Sequence, residues 1–288
     1  MNDLTTVSKG LADADHSKQI DVLEKAICAD PFAFLGPHQN TPAGIQLRAF
    51  VPGAQAIAYY HNDKPLQQYR QVGESALFIL QLQPHQYQRG YQLQITFADH
   101  TCLQQDPYSF DSSLELEAMY LFNQGALEQT YRHLGAHWRQ QEGACGVRFA
   151  IWAPGAQAVS IIGDFNGWDK RRHPMRKHPA CGVWEIFICD LQQAQNYKFS
   201  LLSAQGERLE KADPYALQMQ LPPATASVIS AKDVQQRSQA NAVLRQQRNA
   251  IDAPISIYEV HAGSWRRHAQ DNSYLSYREL AEQLVPYV

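Results

Sequence analysis

The stretch from Val147 to Asp169 reads V-R-F-A-I-W-A-P-G-A-Q-A-V-S-I-I-G-D-F-N-G-W-D, and its reading decides the fold. Apolar and small or polar residues alternate up to Trp152, as in a half-buried β-strand. Pro154-Gly155 turns the chain, and a second apolar strand runs to Ile162. The pattern then breaks into Gly163-Asp164-Phe165-Asn166-Gly167-Trp168-Asp169. Two glycines permit positive φ, the Asp and Asn side chains can bond their own turn backbone, and Trp168 is left on a short, rigid loop. Two roles suit such an indole. Its flat apolar face and polar edge match the C–H face of a sugar ring, or it plugs the core of a β-sandwich.

The motif has an echo. Pro52-Gly53-Ala54-Gln55-Ala56 repeats Pro154-Gly155-Ala156-Gln157-Ala158 at an offset of 102 residues, with Phe50 and Ile57 matching Trp152 and Val159. Leu35-Gly36-Pro37-His38 matches Leu134-Gly135-Ala136-His137, Tyr91-Gln92-Leu93 matches Tyr197-Lys198-Phe199, and Asp106-Pro107-Tyr108 matches Asp213-Pro214-Tyr215. The first ~230 residues therefore read as a tandem duplication of a small all-β unit, each copy the size of an immunoglobulin-like β-sandwich. The copies differ at the loop: opposite Gly163 to Asp169 the first has Tyr60-His61-Asn62-Asp63-Lys64-Pro65, without tryptophan.

The expected organisation follows. Residues 1–30 form an N-terminal extension carrying a short amphipathic helix from Ser17, with Ile20, Leu23 and Ile27 inward. Residues 31–111 form the first sandwich, 112–133 a connecting helix ended by Gly125, and 134–231 the second sandwich, with Trp184 in its core. A polar linker covers 232–254. From 255 to 288 the texture changes: Ile255 to His261 reads as an apolar strand, and Ser276-Tyr277-Arg278-Glu279 as a capping box opening a helix with Leu280 and Leu284 inward. A buried strand followed by a capped helix is how an α/β domain begins.

Composition sets the outer limits. Apolar residues make up 44% of the 288 and charged residues 18%, the profile of a globular protein, and a net charge of −3 supplies no field for nucleic acid or anionic lipid. Lys170, Arg171, Arg172, Arg176 and Lys177 read as a solvated loop, since no nucleic-acid motif surrounds them. The five cysteines form no C-x-x-C pair, which suits reduced thiols and a cytoplasmic setting. No apolar run approaches the ~20 residues of a membrane span. No metal-ligand spacing, G-x-S-x-G or phosphate loop occurs, so neither metal nor cofactor is expected. Sugar recognition is the one chemistry with a candidate site.

Two tandem sandwiches, G-D-F-N-G-W-D in the second, Asp213-Pro214-Tyr215, then I-Y-E-V-H-A-G-S-W-R-R-H from Ile257 to His268 and Y-R-E-L-A-E-Q-L-V-P-Y-V at the end: in this order the residues resemble the N-terminal part of a bacterial 1,4-α-glucan (glycogen) branching enzyme. The resemblance implies that residues 255–288 open a (β/α)8 barrel of the α-amylase type. The intact family cleaves α-1,4 chains and transfers them to a 6-hydroxyl by a retaining mechanism, which needs two carboxylates about 5 to 5.5 Å apart. In such barrels they sit at the ends of later strands. No catalytic residue is therefore expected in this chain, which reads as an inactive piece of a longer enzyme. Tyr258, Glu259 and His261 lie near the would-be site and are read as structural. The resemblance further implies α-glucan (glycogen and maltooligosaccharides) as partner, a monomeric intact enzyme, and a carbohydrate site at Trp168 and Lys198, with Asn166 as a further candidate. The second tryptophan that such modules commonly place after the Y-K-F strand is missing; Gly206 is followed by Glu207 and Arg208. A free-standing glucan-binding module and a debranching hydrolase are the competing readings.

Overall fold

The structure, a computed structural model, describes residues 16–40, 44–61, 64–231, 245–246 and 250–288. The chain divides into two compact units, Met1–Val234 and Gln235–Val288.

The first unit is built from antiparallel sheets. Strands β1 (Gly36–Asn40), β2 (Gly44–Phe50), β3 (Ala56–His61), β4 (Lys64–Gln68), β5 (Arg70–Gln71), β6 (Leu77–Leu82), β7 (Gln92–Thr96) and β8 (Thr101–Gln105) make two sheets, ordered β1-β2-β6-β5 and β4-β3-β7-β8. They face each other across Leu47, Phe78, Leu80, Ile57, Tyr59, Leu93 and Ile95. Strands β9 (Gly135–Gln141), β10 (Ala144–Trp152), β11 (Ala158–Gly163), β12 (Arg176–His178), β13 (Val183–Cys189), β14 (Asn196–Leu202), β15 (Arg208–Lys211) and β16 (Ser227–Val228) repeat the plan. Their sheets run β12-β13-β10-β9 and β11-β14-β15, with β16 beside β14. Val147, Phe149, Trp184 and Ile186 from one sheet meet Val159, Ile161, Tyr197 and Phe199 from the other. Trp184 is fully buried, and its indole N–H donates to Ala153 O at 2.9 Å.

The duplication read from sequence extends to individual hydrogen bonds. Tyr91 Oη donates to Asp106 Oδ2 at 2.6 Å, and Tyr197 Oη to Asp213 Oδ2 at 2.6 Å. The other carboxylate oxygen accepts the amide two residues on, Tyr108 N at 3.0 Å and Tyr215 N at 2.8 Å. Both carboxyls are buried. Burial pushes Asp106 up to about 6 and raises Asp213 as well, against the lowering effect of these same donors.

The sandwiches are joined more closely than separate domains would be. Helix α1 (Ser17–Glu24) and the turn at Pro31–Ala33 lie in the seam, and Leu23, Leu35, Phe50, Leu77, Ile79 and Tyr108 belong to the same apolar cluster as the second core. Strand β6 is consequently buried on both faces: Phe78 and Leu80 serve the first core, Leu77 and Ile79 the second. Helix α1 is shorter than the pattern suggests. It begins after His16, with Ser17 already helical, and stops at Glu24, after which Ala26 takes a positive φ of 53°. The connecting segment holds one helix, α2 (Leu116–Asn123), which packs Ala118 and Met119 against Ala150 and Val183. Ser112 and Ser113 do not cap it. Their hydroxyls donate instead to Glu185, at 2.6 and 2.9 Å.

In the second unit the capping box forms as read. Ser276 Oγ accepts Glu279 N at 3.3 Å, and Glu279 Oε2 accepts Ser276 N at 2.8 Å at the head of α4 (Tyr277–Leu284); α3 (Ala262–Trp265) precedes it. The expected strand at Ile255–His261 is not formed. Ile255 and Ile257 are more than four-fifths exposed and no ladder partner lies alongside among the described residues, so the segment lacks the neighbour without which an extended chain is not a strand. The start of a barrel is thus not seen among the described residues. The linker reading over 232–254, and the first 15 residues of the N-terminal extension, fall largely or wholly outside them.

Candidate carbohydrate-binding site

The loop after β11 is held by its own polar side chains. Gly163 is buried where a side chain would collide with Asn196 O and the Phe165 ring. Gly167 turns the chain at φ 63°, and Trp168 follows at φ 61°, a left-handed conformation that costs a non-glycine residue about 1 kcal/mol or more. That cost is offset locally: Trp168 N donates to Gly163 O at 3.0 Å, and the indole Nε1 donates to Asp164 Oδ1 at 3.2 Å. Asp164 Oδ2 accepts both Asn196 N at 2.7 Å and Asn196 Nδ2 at 2.9 Å, tying the loop to the first residue of β14.

Asn166 has a different place from the one expected of it. It is only 2% exposed, and its amide is spent inside the loop. Oδ1 accepts Gly163 N at 2.9 Å, while Nδ2 donates to Ile161 O at 2.9 Å and to His173 Nδ1 at 2.8 Å. Burial lowers the His173 pKa to about 3, so the ring is neutral, with Nδ1 as acceptor and the proton on Nε2. Asn166 therefore shapes the loop and has no free edge for a ligand.

Trp168 is 38% exposed, with its polar edge turned to Asp164, so it does not plug the core. Lys198 is half-buried on β14 and pairs in register with Ile162, the residue before Gly163. The structure thus brings the two resemblance-based candidates to the same end of the β11–β14 pair. Sequence reasoning missed Asp164 and Asn196, which connect them. The signal was available, since an Asp four residues before an exposed Trp on a tight loop is a natural acceptor for its N–H.

Arg208, in the stretch after β14 that holds no second tryptophan, reaches the C-terminal end of α1, donating through Nη2 to Lys25 O and Ala26 O. The basic cluster is likewise not a solvated loop. Arg171 bridges Asp169 at 2.8 Å and Glu24 at 3.0 Å, Arg172 lies over Phe97 and donates to Pro52 O, and Arg176 lies 3.7 Å from the Phe32 ring centre. Lys177 donates to Pro154 O. Three of its five members are seam contacts, because guanidinium groups cover apolar rings or bridge carboxylates while bonding backbone carbonyls, and Lys177 is tied within the second sandwich. In the second unit, Tyr258 Oη accepts Trp265 Nε1 at 3.2 Å, His261 Nδ1 lies 2.9 Å from Ser264 Oγ, and Glu259 is exposed. All are local contacts.

Among the described residues no cluster with metal-binding composition occurs, and no helix is long and apolar enough to cross a membrane. Residues 16–108 match the N-terminal domain of alpha-1,4-glucan branching enzyme GlgB, and residues 133–216 match carbohydrate-binding module 48, the isoamylase N-terminal domain. Among solved structures, ligand-free PulA from Klebsiella pneumoniae is similar at 16% identity and a TM-score of 0.29, over 68% of this chain and 21% of that one. Pullulanase from Anoxybacillus sp. LM18-11, solved with maltotetraose, is similar at 14% identity and a TM-score of 0.31, over 78% of this chain and 28% of that one. The chain spans under a third of the length of either.

Proposed function

We infer, from a chain that carries the N-terminal domain of a 1,4-α-glucan branching enzyme followed by a carbohydrate-binding module, that its work is to hold α-glucan for a branching transferase of glycogen synthesis. The sugar stacks on Trp168 and is steadied by the Lys198 ammonium. The observation that carries this reading is the posture of Trp168: an indole kept at the surface in a strained backbone conformation, its N–H bonded and its loop cross-braced to β14. A residue serving only stability would be buried, as Trp184 is. The match over residues 16–108 favours branching over debranching, since the sandwich of residues 133–216 alone is described by an isoamylase domain.

The intact enzyme would cut an α-1,4 bond and rejoin the chain at a 6-hydroxyl, in the cytoplasm and as a monomer. The 288 residues by themselves bind without catalysing. With one aromatic platform and Arg208 committed to α1, affinity for a short maltooligosaccharide is weak, with a Kd on the order of 1 mM. Glycogen, offering many chains, binds more firmly by avidity. The test is titration with maltoheptaose and with glycogen, following tryptophan fluorescence, alongside Trp168→Ala. Saturable binding lost in the variant supports the reading, and equal binding by both chains refutes the site. An iodine-staining assay on amylose tests the absence of branching by the isolated chain.

A further inference from the structure

We propose that Asp164 is a positioning residue for glucan recognition: it takes up the Trp168 indole N–H, so that the ring offers the sugar its face alone. The inference rests on reading Trp168 as the glucan platform and adds how the platform is held. The geometry is specific. One carboxylate oxygen accepts the indole Nε1 at 3.2 Å, and the other accepts both the main-chain and the side-chain nitrogen of Asn196, at 2.7 and 2.9 Å. The carboxylate is thus a brace between the loop and the strand that carries Lys198 two residues further on. Asp164 itself is exposed, as is the ring, so the bonds are not made to satisfy buried groups. They fix the rotation of an exposed indole that would otherwise sample several rotamers, and they lower the ordering cost of stacking a pyranose on it.

Two consequences separate this from a merely structural role. An indole N–H already given to a carboxylate is not a donor to a sugar hydroxyl, so the N–H is dispensable for contact and the ring face is not. Trp168→Phe keeps a face but loses the N–H that Asp164 holds; it should bind maltoheptaose about tenfold more weakly than the parent, as a freed ring does, while Trp168→Ala loses binding. Losing the brace frees the ring without removing it: Asp164→Ala should weaken binding about tenfold, with Asp164→Asn between, since one amide oxygen can serve Trp168 or Asn196 but not both.

The experiment uses the 288-residue chain with ¹⁵N-labelled tryptophan. The Trp168 indole N–H resonance is assigned by its disappearance in Trp168→Phe, its hydrogen exchange is measured in the parent and in the two Asp164 variants, and maltoheptaose is titrated against every chain in parallel. Faster indole exchange in Asp164→Ala, weaker binding and a thermal midpoint within a few degrees of the parent support the proposal. Unchanged exchange in Asp164→Ala overturns it, as does undiminished binding. If Trp168→Ala abolishes binding while Asp164→Ala leaves it intact, the brace alone is refuted and the platform stands. If the parent binds no maltoheptaose, both fall together.

Discussion

Glu185 offers the most exacting test of how the unit is held together. It lies on β13, is 1% exposed, and gathers donors from the connecting segment and the neighbouring strand. Ser112 Oγ is at 2.6 Å, Ser113 N and Oγ at 2.9 Å each, and His178 Nε2 at 3.0 Å, with Arg176 Nε 3.9 Å away. Burial alone would raise its pKa. The hydrogen bonds from His178, Ser112 and the Ser113 amide, with the Arg176 charge, outweigh it and hold the carboxyl at about 2 instead of 4.5. At about 1.4 kcal/mol per pH unit, the ionised form is about 3 kcal/mol better accommodated in the folded chain than in the unfolded one. Because the folded pKa is depressed, this stability is present in full above pH 4.5 and is lost as pH falls from there towards 2. Glu185→Gln keeps the shape and removes the charge. It should lower stability by about 3 kcal/mol at pH 7, roughly 6 to 12 °C in the thermal midpoint for a unit of this size, and the gap should close as pH falls to 2.5. Circular-dichroism melts of both chains across pH 2.5 to 7 read this directly. Other carboxylates titrate equally in both chains and cancel in the difference. A gap independent of pH, or a variant melting within 1 °C of the parent at pH 7, refutes the reasoning.

Further outcomes follow from the same structure. Asp106, raised to about 6, acts in the opposite sense: the folded chain holds its proton more tightly, so stability falls as pH rises from 3.8 through 6. Asp106→Asn should remove about 3 kcal/mol of that dependence, seen in urea melts at pH 4 and 7. Tyr197→Phe leaves the buried Asp213 carboxylate short of a donor and should cost about 1 to 3 kcal/mol by chemical denaturation, with Tyr91→Phe costing a similar amount in the first copy. Gly163→Ala places a methyl against Asn196 O and Phe165, and should displace the loop; glucan binding falls with it, whereas an equal loss of stability made elsewhere, by Tyr91→Phe, leaves binding unchanged. Arg208→Ala should free the end of α1, read as faster amide exchange at residues 17–27.

The fold was legible where the repeat made it so. An Asp-Pro-Tyr that recurs with a tyrosine upstream is a constraint of geometry, and both copies use it for the same pair of hydrogen bonds. Alternation placed Trp184 inside, because Ile186 and Ile188 share its face. The Gly-Asp-Phe-Asn-Gly-Trp-Asp loop was recognisable as a candidate site, but its internal roles were not. Asn166 and Asp164 are both short polar residues on one turn, and only the three-dimensional path sends one inward to His173 and the other outward to the indole.

What sequence pattern could not reach is the seam, and the reason is physical. A strand buried on both faces loses its alternation, and Leu77-Phe78-Ile79-Leu80 reads as an unbroken apolar run that gives no hint it serves two cores. The basic cluster misleads in the complementary way. Charge suggests solvent, yet a guanidinium can lie on Phe97 or Phe32 while its nitrogens reach backbone carbonyls, and nothing in the spacing of Arg172 and Arg176 distinguishes that from a hydrated loop. The consequence bears on the proposed glucan site. Asp169, next to Trp168, is held by Arg171, which also grips Glu24 of α1, so the loop that carries the platform is anchored to the segment that packs between the sandwiches. Helix α1, through Glu24, thereby braces the loop of the second sandwich.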